Sequence, residues 1–320
     1  PGDVILSTPI FEALKEKISD CRITAVIRPE SVSLVENNPH VNDLVVYDKY
    51  GVDHGISGMI RTARKLRGNH QAIIVQRHLR SALIAFLAGI PERIGYENSS
   101  AKLLYTRKVR YREEFHEVRR CLSLIDTEDG VYKPRIFIDE KTEKEALGKI
   151  SDIGITGEYA VVAPGSVWPT KRYPYYPGLI HLIGERFGLP VIMLGGKDDI
   201  LEAKSIEEGC RIRPRNLVGK TFLLESASII SKAKIVFAND SAPAHIAAAM
   251  DTPVVAIFGS TVKEFGFVPY SEISAVVDIG ELYCRPCGIH GTEKCPEKHF
   301  RCMMELPPSK IIEVAGLLFG

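Results

Sequence analysis

Apolar runs of four or five residues recur along this chain, each followed by an amphipathic stretch with helical spacing, and this alternation constrains the fold more than any other feature. In the first half the apolar runs fall at 23–27, 44–47 and 72–76, and the amphipathic stretches at 10–18, 55–66 and 81–87. A short run that is apolar at nearly every position reads as a strand covered on both faces. Apolar residues three and four apart mark one side of a helix. Covered strands joined through helices call for a mostly parallel sheet with helices on both sides. A polar stretch at 137–157, ending in Gly154 and Gly157, then separates this half from a second one built the same way. There the strands are expected at 159–163, 191–194, 235–238 and 254–258, and the helices at 176–187, 201–208 and 223–231. The fold class is therefore α/β, with two Rossmann-like, doubly wound domains at 1–150 and 151–306 facing across a cleft. Residues 307–320 read as a helix opened by proline, which packs on either domain, the first being a candidate.

With 41 basic and 40 acidic residues the formal charge is +1, so no overall field favours nucleic acid as partner. The run Arg107, Lys108, Val109, Arg110 reads as solvated surface or, less simply, a ligand-facing patch. No apolar stretch reaches the roughly 18 residues of a membrane span, and no secretory leader is visible, so a cytoplasmic location is expected. The chain opens on Pro1 rather than Met, which makes a further segment upstream an expectation.

Ligands of doubly wound sheets sit at the carboxyl edge of the strands, where loops and helix starts converge. Three loops at that edge carry polar chemistry. The strand at 159–163 runs into PGSVWPTKRYP (164–174), where Gly165 permits a tight turn, Ser166 and Thr170 offer hydroxyls, and Lys171 and Arg172 bring positive charge ahead of a helix. Phosphate fits such a site, although a surface turn with two solvated cations has the same signature. Gly195–Gly196 before Asp198, and Gly259–Ser260–Thr261, lie at the same edge. The third loop follows the strand at 235–238: Asn239, Asp240 and Ser241 lead into a small-residue helix. Ser241 is placed to cap that helix, Asp240 to accept hydrogen bonds, and His245 lies one turn further on the same face. His245 alone could equally be a satisfied structural histidine. Neither GxGxxG nor GxxxxGK[ST] is present, so the ordinary dinucleotide and P-loop readings lack their motif.

These segments, taken together with GDVILSTPIFEALK (2–15), QRHLRSALIAFLAGIPERIGY (76–96), HEVRRCLSLI (116–125), NLVGKTFLLE (216–225) and NDSAPAHIAAAMDTPVVAIFGST (239–261), resemble the ADP-heptose:lipopolysaccharide heptosyltransferases. These are inverting glycosyltransferases of family 9 with the GT-B fold, and the likeness is nearer to heptosyltransferase II-like members. The resemblance implies ADP-heptose as donor and Kdo-lipid A or a heptosylated inner core of lipopolysaccharide as acceptor, met at the cytoplasmic face of the inner membrane by peripheral contact. It implies a strand and glycine-rich turn ahead of GDV. Asp3, just ahead of a helix, matches the general base that deprotonates the acceptor hydroxyl; a bland helix cap is the alternative for it. Lys171 matches the lysine facing the donor diphosphate, where a fixed cation stabilises the charge developing on ADP and can stand in for magnesium, so no cofactor is expected for catalysis. Asp240, Ser241, Ala242 and His245 match the family's D-[ST]-G-x-x-H segment, with Ala242 replacing the usual glycine. Ser166, Thr170, Asp198, Leu217 and Thr221 are implied donor contacts.

For the acceptor, Arg77, Arg80 and Arg119 are candidates to meet carboxylates or phosphates, or are ordinary surface arginines. Cys284, Cys287, Cys295 and Cys302 have the spacing CxxC-x7-C-x6-C, which suits a structural zinc or iron–sulfur centre but also free thiols or disulfides. A glycosyltransferase using another nucleotide sugar or glycan, and a non-catalytic nucleotide-sugar binding protein, remain the alternative functions.

Overall fold

The computed structural model describes residues 1–318, which form two compact units, one built on Asp3–Phe137 and the other beginning at Ile138. In the first unit, β1 (Thr24–Ile27) pairs in parallel with β2 (Asp43–Val46). A second parallel group runs in the order β3 (Gln71–Ile74), β4 (Glu92–Tyr96), β5 (Arg107–Val109). Around them lie helices α1 (Gly2–Ser7), α2 (Pro9–Lys17), α3 (Gly55–Lys65), α4 (Leu79–Leu87) and α5 (Glu117–Ser123). Pro9 starts α2 because its missing N–H costs nothing at a first helical position. Strands β4 and β5 were not foreseen. The basic run expected to be solvated surface supplies β5, and Lys108 and Arg110 are exposed as expected, because hydrogen bonding to β4 alone leaves the charged side chains room to face outward.

The second unit holds, among the described residues, a parallel sheet of six strands: β6 (Ala160–Ala163), β7 (Val191–Met193), β8 (Arg215–Asn216), β9 (Ile235–Asn239), β10 (Val254–Ile257) and β11 (Ser274–Val277). Their order is β11-β10-β9-β6-β7-β8. Every residue of β6, β9 and β10 is buried, which explains their uninterrupted apolar sequence. The chain winds outward from β6 in one direction through β7 and β8, and from β9 in the other through β10 and β11. The gap between the carboxyl ends of β6 and β9 is therefore the topological switch point, where a doubly wound sheet opens a crevice for ligand.

Helices α6 (Glu140–Asp152), α7 (Tyr176–Phe187), α8 (Ile200–Gly209), α9 (Leu223–Ser231), α10 (Ala242–Ala249), α11 (Arg301–Met304) and α12 (Pro308–Gly316) complete this unit. Helix α6 packs on α9, where Lys149 Nζ meets Glu225 at 2.7 Å, so the unit starts at Ile138, ahead of the division at 150/151 read from sequence. Helix α12 packs on α7, β10 and β11 and puts Ile311, Ile312 and Ala315 into the core of the second unit, rather than on the first. Residues 319 and 320 of the expected final segment lie outside the described residues.

Candidate active site

Asn239, the last residue of β9, is completely buried and ties the two sides of the switch point together. Its Oδ1 accepts from the Tyr173 amide at 3.1 Å and the Tyr176 hydroxyl at 3.0 Å, while its Nδ2 donates to the Pro164 carbonyl. The loop after β6 is thus clamped to the end of β9. Asn239→Ala strands an amide, a hydroxyl and a carbonyl in the core, each worth about 1–3 kcal/mol when unpaired. An overall loss of about 3 kcal/mol is expected, read as a lower urea midpoint at unchanged slope.

The neighbouring Asp240 carries the charge of the site. Its Oδ2 lies 2.6 Å from Lys171 Nζ and accepts from Thr261 Oγ1 at 2.7 Å; Lys171 also reaches the Asp240 carbonyl at 3.3 Å. Both charged side chains are nearly enclosed, at 12% and 9% exposure. Three loops therefore converge on one ion pair; the sequence singles out Lys171 and Asp240 and places Thr261 at the same edge, without its bond to Asp240. Arg172, by contrast, is a brace: its guanidinium donates twice to the Ser166 carbonyl, at 2.9 and 2.8 Å, and pairs with Glu202 at 2.9 Å. Burial raises the proton affinity of Glu202, and the Arg172 charge opposes this. Lys171 is left as the loop's cation at the switch point.

Ser241 sits at the N-cap position of α10, but its hydroxyl donates back to the Asn239 carbonyl at 3.3 Å and makes no capping bond. Ala242 opens the helix, and His245 is buried one turn later. Asp198 is exposed, whereas Asp199 turns inward: its Oδ2 accepts from the Gly196 amide at 2.8 Å. A Cβ on Gly165 would lie 2.3 Å from the Asp199 carboxyl carbon, so this glycine admits a carboxylate. Gly259 is small for a different reason, the close packing of Met303. Leu217 is buried and its amide donates to the Met193 carbonyl at 3.0 Å, while Thr221 is paired with the Ser226 hydroxyl at 2.8 Å.

Thr170 is buried and its hydroxyl is engaged by the cysteine-bearing segment: Oγ1 donates to the Thr292 carbonyl and accepts from the Thr292 amide, both at 2.8 Å. The Ser260 carbonyl accepts from the Cys287 amide at 2.9 Å, and the Thr261 carbonyl from Arg285 at 2.8 Å. Distant in sequence, this segment is laid over the same strand edge. Thr170→Val removes the hydroxyl's bonds to Thr292 with little change of shape and leaves only the backbone bond from the Thr170 amide to the Thr292 carbonyl, at 3.3 Å, so proteolytic cleavage within 284–300 should become roughly tenfold faster, with Thr170→Ser behaving as wild type.

Among the described residues the four cysteines of that segment are not gathered into a ligand set. Cys287 Sγ donates to the Cys284 carbonyl, Cys295 Sγ accepts from the Phe300 amide, and among the described residues no group of three or more His, Cys, Asp or Glu is arranged to hold a metal. Burial pushes the Cys302 thiol up to about 11 and raises that of Cys287. The geometry gives no support to a zinc or iron–sulfur centre, and no described cysteine is in a disulfide.

In the first unit Asp3 is exposed in the first turn of α1, inside the helix rather than ahead of it, and the N-cap position belongs to Pro1. Its charge acts on Glu117, whose proton affinity is raised chiefly by burial, lowered by Arg120 and raised again by Asp3. Arg120, missed in the sequence, is almost fully buried: it bonds Glu117 and the Tyr111 hydroxyl, each at 3.1 Å, and the Arg112 carbonyl at 2.9 Å. Its position between the buried Val118 and Cys121 on α5 was the available signal. Arg77 stacks on Tyr111 at 4.3 Å and so joins this group. Arg80 is exposed on α4, and Arg119 is turned away, paired with Asp129 at 2.6 Å and stacked on Phe115.

Residues 59–299 match the family described as glycosyltransferase family 9 (heptosyltransferase). The chain is 26% identical to lipooligosaccharide heptosyltransferase 2 of Haemophilus influenzae over 88% of this chain and 87% of that protein. Its backbone is similar to the glycosyl transferase family 9 protein from Veillonella parvula, with a TM-score of 0.88 at 23% identity over 99% and 94% of the two chains. It is also similar to ADP-heptose LPS heptosyltransferase II of E. coli, with a TM-score of 0.79 at 21% identity over 99% and 95%. These likenesses show the GT-B fold of two Rossmann-like α/β units.

Proposed function

Because the chain belongs to glycosyltransferase family 9, the heptosyltransferases, we propose that it transfers L-glycero-D-manno-heptose from ADP-heptose to the inner core of lipopolysaccharide with inversion at the anomeric carbon. The observation that supports this reading most is the Lys171 ammonium held on Asp240 at the switch point of the second unit. In the proposed reaction Asp3 takes the proton of the acceptor hydroxyl as its oxygen bonds the anomeric carbon. The bond from that carbon to the diphosphate oxygen breaks, and the electron pair leaves on ADP. Lys171 faces this growing charge and stabilises it more than the ground state, because a fixed cation in a largely enclosed site needs no reorganisation.

Ser166, Thr170, Asp198, Leu217, Thr221, Ser241, Ala242 and His245 form the proposed surroundings of the donor, Leu217 by its backbone. Asp240 orients Lys171. Ala242 adds a methyl group at the start of α10, where the family has glycine, and narrows the approach of the diphosphate. Arg77 and Arg80 are the proposed anion contacts for the acceptor, with Arg119 held further off by Asp129. The proposed acceptor is Kdo-lipid A or a heptosylated core at the cytoplasmic face of the inner membrane; no helix of the described residues is long and apolar enough to cross a membrane.

A matrix of nucleotide sugars against Kdo-terminated and heptosylated cores tests the proposal, with released ADP and product mass as readouts. Turnover with ADP-heptose on one of the two cores is expected. Turnover confined to another nucleotide sugar, or binding without turnover, overturns it.

A further inference from the structure

The near-neutral charge of the whole chain conceals a strong local imbalance. Residues 54–112 hold 12 Lys and Arg against 2 Asp and Glu, while the remainder holds 29 against 38. This basic region coincides with helices whose outward faces are apolar. On α4 the buried positions are mostly small, Ala82, Ala85 and Ala88 beside Ile84, whereas the outward stripe is Leu79, half-buried Leu83, Phe86 and Leu87 at spacing i, i+4, i+7, i+8. Leu79 and Phe86 are 51% and 50% exposed. Helix α3 packs beside α4 and carries Ile56, Ile60 and Arg64 along one exposed line that continues to Arg67. The 3₁₀ turn Lys102–Leu104 also packs on α4 and projects Leu103, 89% exposed. Arg93 stacks on Phe86 at 5.5 Å.

We infer that this face, formed by α3, α4 and the Lys102–Leu104 turn, docks on an anionic lipid bilayer. Single apolar side chains projecting from a cationic surface suit shallow insertion below the headgroups, with Arg64, Arg67 and Lys102 against lipid phosphates. Charge complementarity selects this occupant. A second copy of the chain would bring the same basic region against itself, and nucleic acid would leave the apolar stripe in water. The assignment rests on the reading that the acceptor is carried by a lipid, but its readout is independent of transfer.

The test is co-sedimentation with phosphatidylethanolamine vesicles containing phosphatidylglycerol, against vesicles of phosphatidylcholine alone. Binding to the anionic vesicles alone, falling steeply with salt, is expected. Leu103→Asp, at a side chain too exposed to unsettle the core, and Arg64→Glu/Arg67→Glu should each weaken binding by about tenfold. Both variants should keep wild-type turnover on a soluble acceptor fragment. Wild-type vesicle binding by both variants overturns the proposal, as does equal binding to neutral vesicles or a wild-type dimer that Leu103→Asp dissociates. Vesicle binding that responds as expected in a protein without ADP-heptose turnover overturns the proposed reaction and leaves this face standing.

Discussion

Asp3→Asn is expected to lower kcat by about a thousandfold while leaving ADP affinity unchanged. The amide has the shape of the carboxylate but cannot take up the proton that the acceptor hydroxyl must lose. Asp3 is exposed in the first turn of α1, so the fold should be indifferent to the exchange, and unfolding midpoints should coincide. The proposed donor contacts all belong to the second unit, which separates the two readouts: calorimetry with ADP reports on that unit and turnover on both. Glu117 provides the contrast. Its carboxyl is largely buried and bonded to Arg120, so Glu117→Gln removes the counter-charge of a buried guanidinium, and its main effect should be a lower unfolding midpoint. Unchanged turnover in Asp3→Asn removes Asp3 as base, and loss of ADP affinity would assign it to the donor instead.

How far the sequence exposes this molecule depends on where each segment lies in the sheets. Strands β6, β9 and β10 are buried at every residue and were readable almost to the residue as apolar runs, and α7 and α9 fell within their expected bounds. Strands β5, β8 and β11 each hydrogen-bond one neighbour, retain polar positions and escaped notice, as did β4, which is paired on both sides but opens on Glu92 and Arg93. In the site, Asp240 and Lys171 stood out because a carboxylate and a cation follow buried strands. Thr261 was legible as part of a loop at the same edge, but its bond to Asp240 was not, because the contact spans 21 residues of sequence. Thr170 shows the ambiguity most clearly. A hydroxyl in a Gly- and Pro-containing loop has the same signature whether it serves a ligand, a neighbouring loop or both, and the bond to a threonine 122 residues away leaves no trace in the local sequence. The four cysteines were legible as a group, but whether their sulfurs converge depends on how the segment is laid over the strand edge.

Lys171→Met should reduce kcat/KM by about 10²–10³, as expected when a fixed donor to a developing anion is removed. The same change has a second consequence that must be separated from the first. Asp240 is 9% exposed and would be left with the Thr261 hydroxyl alone, and breaking a buried pair from one side destabilises by about 3–5 kcal/mol. A slow Lys171→Met enzyme could therefore be a damaged one. The double variant Lys171→Met/Asp240→Asn resolves this, because it removes both charges and leaves no buried ion unpaired. Its urea midpoint should return toward wild type, giving a coupling energy of opposite sign to the single losses, while kcat/KM stays low. If turnover returned together with stability, the lysine would serve only to neutralise Asp240, and the charge on the departing ADP would have to be met by another group. Low turnover in a stable double variant isolates the ammonium itself as the group that stabilises the transition state.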